Sequence, residues 1–197
     1  MGVYGCQSWF YDLISGCHLR EFVHLAITFG SGPTDYEGDY DGISTQSAKT
    51  YVVNLATGAQ LTGSPLSTAS TTGTFMGDPI SVDLDIRASQ CSSGSCSYSS
   101  DIAYIGNSEG KLYRITGTTS SAAGAASLVV NTSTTTPITS APAISMDNDG
   151  RFWIYFGTGR FFCESDKVNT DNQALCGVKE PIDFDDADGD SDTNELT

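Results

Sequence analysis

Positive charge is scarce in this chain. Nine Lys and Arg stand against 24 Asp and Glu, a net charge of −15 at pH 7 over 197 residues. So acidic a surface repels a phosphate backbone, which excludes nucleic acid as a partner. The charge suits an extracellular protein or one that binds divalent cations, and it equally suits plain solubility. No apolar run reaches the length of a membrane-spanning helix. Met1 to Phe10 lacks a basic start and an apolar stretch, so no secretory signal is written there. His18 and His24 are the only histidines, and no G-x-S-x-G elbow, metalloprotease helix or phosphate loop accompanies them. His24 lies in an apolar stretch and reads as a packed or edge residue. Paired carboxylates carry no information about glycoside hydrolysis in a chain this acidic. Cys-x-x-Cys spacing is missing too, which argues against zinc. Gly16-Cys17-His18 is not a haem-attachment motif, because Ile14 stands where the first cysteine would be.

What is present is glycine (21 residues), abundant Ser and Thr, and 39% hydrophobic residues, enough for a core. This composition predicts an all-β protein with many turns. One small pattern occurs three times. It reads His24-Leu25-Ala26-Ile27-Thr28-Phe29-Gly30-Ser31, then Lys49 to Asn54; Asp101-Ile102-Ala103-Tyr104-Ile105-Gly106-Asn107, then Gly110 to Ile115; and Arg151-Phe152-Trp153-Ile154-Tyr155-Phe156-Gly157-Thr158, then Ala174 to Val178. Each copy is an apolar strand ending in Gly plus a small polar residue, followed by a second apolar strand. A β-propeller blade is written this way. The fold predicted is a partial β-propeller of about three antiparallel blades with long inter-strand loops. Three units are too few to close a ring, so the chain is expected to be part of a larger one.

Between the copies, Ile80 to Ile86 alternates with period two, as a half-buried strand does. Leu128-Val129-Val130 predicts one edge strand in a Ser/Thr-rich connection. The division predicted is an N-terminal disulfide-stapled segment over 1–21, blades over 22–182 and an acidic tail over 183–197. The segments Gly30–Tyr51 and Gly157–Cys176 are much longer than Gly106–Tyr113, and such insertions on a rigid scaffold are where binding surfaces sit. The run Phe152, Trp153, Tyr155, Phe156 reads as packing between blades, with a carbohydrate platform as the lesser alternative.

Six cysteines leave fifteen connectivities open. Pairing neighbours gives Cys6–Cys17, Cys91–Cys96 and Cys163–Cys176, each stapling a loop and implying an oxidising compartment. In the tail, Asp186, Asp188, Asp190 and Asn194 occupy positions one, three, five and nine of an oxygen-rich loop that can wrap calcium. Ser191 stands where such a loop favours glycine, and Thr197 where it favours a bidentate glutamate; a solvated acidic linker is the alternative. Asp35-Tyr36-Glu37-Gly38-Asp39-Tyr40-Asp41-Gly42 is a second acidic cluster and reads as a charged, turn-rich insertion.

Pro137-Ile138-Thr139-Ser140-Ala141-Pro142, Phe156-Gly157-Thr158-Gly159-Arg160-Phe161 and Gln173-Ala174-Leu175-Cys176-Gly177-Val178 resemble the C-terminal propeller of the type IV pilus tip adhesins and biogenesis factors, the PilY/PilC family. The matching family text looks like P-I-T-x-A-P, F-G-T-G-[RK]-[YF] and Q-x-x-Y-G-I, and Asp101 to Asn107 is similar to its D-x-x-Y-x-G-D strand. The resemblance covers roughly residues 22–180. Cys176 departs from the family's usual Tyr. The Cys91–Cys96 loop interrupts what would be the family's calcium loop after Asp83-Leu84-Asp85. No Arg-Gly-Asp triplet is present, since Asp149-Gly150-Arg151 runs the other way. The resemblance implies a non-enzymatic surface component of type IV pili acting in pilus biogenesis or adhesion. It implies an extracellular or outer-surface place at the pilus tip after periplasmic transit, with calcium as a candidate cofactor. Its implied partners are pilin or minor pilins, the rest of its own propeller and a host or surface ligand. The rival readings are a quinone-dependent dehydrogenase propeller, whose repeats share the Thr-Gly of Leu55-Ala56-Thr57-Gly58, and a periplasmic assembly scaffold.

Overall fold

The structure, a computed structural model, describes residues 26–33, 44–68, 70–82, 100, 102–119, 121–148, 151–161 and 164–180. Among the described residues, nine strands form three antiparallel sheets. The first pairs β1 (Ala26–Gly30) with β2 (Thr50–Asn54). The second has the order β3 (Met76–Val82), β4 (Ile102–Asn107), β5 (Lys111–Thr116), β6 (Ala125–Asn131). The third has the order β7 (Ala143–Met146), β8 (Phe152–Gly157), β9 (Leu175–Lys179), with one 3-10 turn at Glu164–Val168 before β9. This is the all-β partial propeller expected from the sequence, with the sheets as blades one, two and three. The segment after β2 completes blade one through single bridges, Gln60 to Val53 and Leu66 to Thr50. The predicted edge strand at Leu128–Val130 is the middle of β6.

All three copies of the repeat share one register. The strand-ending glycines face Thr50, Leu112 and Leu175 as Gly30↔Thr50, Gly106↔Leu112 and Gly157↔Leu175. Side chains alternate across a pleated strand, so this register gives each blade two defined faces. The face carrying the glycine is here termed the forward face, and the other the back face.

Two clusters form the core, one at each junction between blades. The forward face of blade one sets Val52 against Ala103, Ile105, Tyr113 and Ile115 on the back of blade two, joined by Ala48, Leu61, Leu66 and Met76. The forward face of blade two sets Ile102, Tyr104 and Leu112 against Ile154, Phe156, Phe152, Cys176 and Val178 on the back of blade three. Burying side chains of this size contributes roughly 1.5–3 kcal/mol each before conformational entropy is subtracted.

Both junctions are stitched by the same backbone bonds. The segment leading into blade two donates Met76 N–H to the Ser31 carbonyl of blade one at 2.9 Å, and its Phe75 carbonyl accepts Ser108 N–H at 3.0 Å. The segment leading into blade three repeats this with Ile138 N–H on the Asn107 carbonyl at 2.9 Å and Gly159 N–H on the Pro137 carbonyl at 2.8 Å. Glycine is needed on the forward face because these segments run directly over it. A Cβ on Gly30 would collide with Met76, and one on Gly106 would collide with Ile138. An ion pair adds to the second junction: Arg114 Nη1 meets Glu180 Oε1 at 2.6 Å, with the Glu180 side chain 1% exposed. Burial pulls the Arg114 pKa below the ordinary arginine value, and the Glu180 carboxylate supplies the counter-charge.

Candidate functional site

The long insertion between β8 and β9 forms one wall of a polar cleft of about 290 Å³. Thr134, Thr135 and Pro137 line it from the connection between blades two and three, and Gly159, Arg160, Asp166, Asn169, Asp171 and Gln173 from the insertion. Several local contacts give the insertion its shape. Thr158 N–H donates to the Ala174 carbonyl at 2.9 Å, and Ala174 N–H donates to the Thr158 hydroxyl at 2.8 Å, which clamps the base of the loop. Gly159 follows with φ +123°, a conformation only glycine adopts without strain. Asp171 N–H donates to the Asn169 side chain at 2.7 Å, turning the chain back towards β9. Gln173 Nε2 then reaches across the cleft to the Thr135 carbonyl at 3.2 Å.

Arg160 and Asp166 dominate the electrostatics of the cleft. Arg160 Nε donates to Asp166 Oδ1 at 2.9 Å, with the carboxylate side chain 2% exposed and the arginine 39% exposed. A buried carboxylate is stable when charged only with such a partner. The cleft thus presents a fixed guanidinium, hydroxyls, amides and the Asp171 side chain. It offers hydrogen bonding to a polar ligand. Its hydroxyls, Thr134 and Thr135, have no histidine among the lining residues.

Of the residues singled out in the sequence, most lie outside the described residues. Asp186, Asp188, Asp190 and Asn194 do, as do the Asp35–Gly42 cluster, both histidines, and Cys6, Cys17, Cys91, Cys96 and Cys163. The segments 1–21 and 183–197 lie outside them as well. Cys176 is described: it sits in β9 opposite Phe156, half-buried against the core between blades two and three, with no disulfide among the described residues. Among the described residues no group of three or more His, Cys, Asp or Glu is arranged to hold a metal ion, and no helix is long and apolar enough to cross a membrane.

The aromatic run of β8 divides by face. Phe152 and Phe156 pack into the core, as expected. Trp153 and Tyr155 do not: they point to the forward face, stacked with centroids 6.4 Å apart, and Tyr155 is 40% exposed. Period-two alternation along β8 separates the two pairs, the same signal that marks Ile80–Ile86. The Arg160–Asp166 and Arg114–Glu180 pairs were also missed, since neither spacing follows a rule readable along the chain.

No family model matches the chain, and no curated protein matches it. Among solved structures it is similar to the C-terminal domain of PilY1 from Pseudomonas aeruginosa, at 17% identity and a TM-score of 0.46, over 68% of this chain and 31% of that one. The chain thus spans less than a third of that domain, and a likeness so distant carries no functional assignment.

Proposed function

We propose that this protein is a non-enzymatic component of the type IV pilus system, exposed at the cell surface, whose propeller blades hold a polar binding cleft for pilus biogenesis or adhesion. One observation carries the reading. The two motifs that most resemble the pilus tip family, Pro137-Ile138-Thr139-Ser140-Ala141-Pro142 and Phe156-Gly157-Thr158-Gly159-Arg160, are far apart in sequence yet meet in space. Ile138 and Gly159 form a parallel bridge, and Gly159 N–H donates to the Pro137 carbonyl at 2.8 Å. The pair therefore acts as one structural unit, the seam between blades two and three, and the cleft opens beside it. Calcium bound by Asp186, Asp188, Asp190 and Asn194 would stiffen the acidic tail by neutralising like charges.

The test is genetic. Deleting the gene in the source cell should reduce the number of surface pili or the attachment of cells to surfaces. Arg160→Glu in the full-length protein should lower attachment while pili still form, since it reverses the fixed charge of the cleft. Normal piliation and attachment in the deletion strain would refute the reading. Calorimetric titration with calcium checks the tail: heat lost on Asp188→Asn supports the site, and no heat in the wild type removes it.

A further inference from the structure

The cleft beside the seam is lined by side chains that spend only part of their hydrogen-bonding capacity on the fold. Arg160 donates Nε–H to Asp166 Oδ1 at 2.9 Å, and its Nη groups have no partner among the described residues. Because Nε is tied to a carboxylate only 2% exposed, the outer edge of the guanidinium is held in place. Asn169 accepts Asp171 N–H on Oδ1 at 2.7 Å, which leaves its amide N–H groups to donate. Gln173 is the reverse case. Its Nε2 donates to the carbonyls of Thr135 at 3.2 Å and Asp171 at 3.3 Å, so its Oε1 is left to accept. Gln173 also packs on the seam, since a Cβ built on Gly159 would lie 3.4 Å from its Cγ. The Asp171 carboxylate is exposed and has no partner among the described residues.

These uncommitted groups narrow the ligand class. Arg160 and Asn169 donate; Gln173 and Asp171 accept. An anion meets the Asp171 carboxylate and a chain of net charge −15, and a cation meets the Arg160 guanidinium. The group that donates and accepts at one atom, without charge, is a hydroxyl. The guanidinium edge and the carboxylate are planar forks, and each can engage two neighbouring hydroxyls at once. At about 290 Å³ the cleft lies at the low end of the roughly 300–1,000 Å³ of small-molecule sites. That is room for a small ligand or for one end of a longer one.

We infer that the cleft binds a neutral saccharide, whose neighbouring ring hydroxyls donate to Asp171 and Gln173 and accept from Arg160 and Asn169. The inference rests on the cleft being the binding site of the function proposed above, and it names the ligand of that site. An uncharged ligand escapes the repulsion of an acidic protein, so its binding should hardly depend on salt.

Saturation-transfer NMR on the full chain tests this. The probes are neutral oligosaccharides of hexose and N-acetylhexosamine, and sialylated oligosaccharides as the acidic comparison, all at millimolar concentration. The neutral probes should show transfer, and the signal should persist from low to high salt. Titration of a responding saccharide should show binding weakened about tenfold or more in Asp171→Ala. The melting temperature should stay in place, because this carboxylate makes no hydrogen bond within the described fold. Arg160→Lys keeps a charge beside Asp166 but loses the planar Nη edge, and should weaken binding in the same way. No transfer from any neutral saccharide overturns the inference. Binding confined to the acidic saccharides and lost with salt overturns it too. So does neutral-saccharide binding unchanged in both variants, which puts the site elsewhere. The attachment assay separates this failure from failure of the reading beneath it. Lowered attachment in Arg160→Glu without saccharide binding removes the ligand class and keeps the function. Saccharide binding by a protein whose deletion leaves piliation and attachment normal removes the function and keeps the ligand.

Discussion

Blades two and three are built on the same register and differ in what lies on their forward faces. In blade two, Tyr104, Arg114 and Leu112 are sealed by blade three; in blade three the same positions are Tyr155, Gly177 and Leu175, and they face outward. Strand formation does not require the seal. β8 and β9 keep the Gly157↔Leu175 register that Gly106↔Leu112 has under cover. The difference is in energy: identical geometry contributes core stability in one blade and little in the other, because only apolar surface removed from water counts. Substitutions at matched positions separate the two contributions.

The largest contrast is at the register position shared by Arg114 and Gly177. Arg114→Ala removes the 2.6 Å ion-pair contact of Glu180, whose side chain is 1% exposed. Breaking one side of such a pair costs about 3–5 kcal/mol. At Gly177, an added methyl meets the Tyr155 ring at 2.9 Å and the Trp153 ring at 3.9 Å, and the Tyr155 ring is itself partly exposed and able to shift. Urea denaturation should therefore show a large fall in midpoint for Arg114→Ala and a small change for Gly177→Ala. An equal effect at both positions would mean that blade three is as tightly packed on its forward face as blade two.

Next come the leucines. Leu112→Ala empties a site between blades two and three where Leu112 is fully buried, which costs about 2–5 kcal/mol. Leu175→Ala, at 82% exposure, should stay within about 0.5 kcal/mol in dilute protein. Thermal melts of the two variants at low concentration give the comparison directly. If Leu175→Ala destabilises as much as Leu112→Ala under these conditions, the forward face of blade three is covered within a single chain.

How much of this was legible along the chain follows from how local the signals are. The strand, its closing glycine and the return strand could be read in all three copies because each is a contiguous pattern. The seam was half legible: Pro137–Pro142 and Phe156–Arg160 stood out as motifs, but their meeting depends on a lead-in segment crossing from one blade to the next. The Arg160–Asp166 pair was not legible, since it forms only once a 3-10 turn brings Asp166 back under Arg160. Aromatic content alone reads Trp153 and Tyr155 as core, because it carries no information about face. Placing Tyr155 on Tyr104 through the shared glycine would have put both on the forward face, though not shown that one is bare.

The smallest expected effect concerns the turns that follow the two strand-ending glycines. Blade three spends a long insertion there; blade two uses Asn107-Ser108-Glu109-Gly110. This short turn is held by a buried carboxylate. Burial pushes the Glu109 pKa up, but the Thr71 hydroxyl at 2.6 Å, Lys111 Nζ at 3.1 Å and the Thr71 N–H at 3.2 Å outweigh it and leave the pKa below the ordinary glutamate value. A carboxyl group whose pKa is lower folded than unfolded adds stability above its unfolded pKa, and that stability is lost as pH falls through the folded value. The loss from Glu109 is therefore expected on the acid side of the usual glutamate range, about 4.3. Thr71→Val removes the shortest of these bonds and leaves burial less opposed. It should cost about 1.5–3 kcal/mol near neutrality, the range for a hydrogen bond to a charged group. It should also move the Glu109 titration, followed by carboxyl chemical shift, to higher pH. A titration left in place by Thr71→Val would show that Lys111 Nζ, the backbone N–H of residue 71 and Asn107 Nδ2 hold the charge without the hydroxyl.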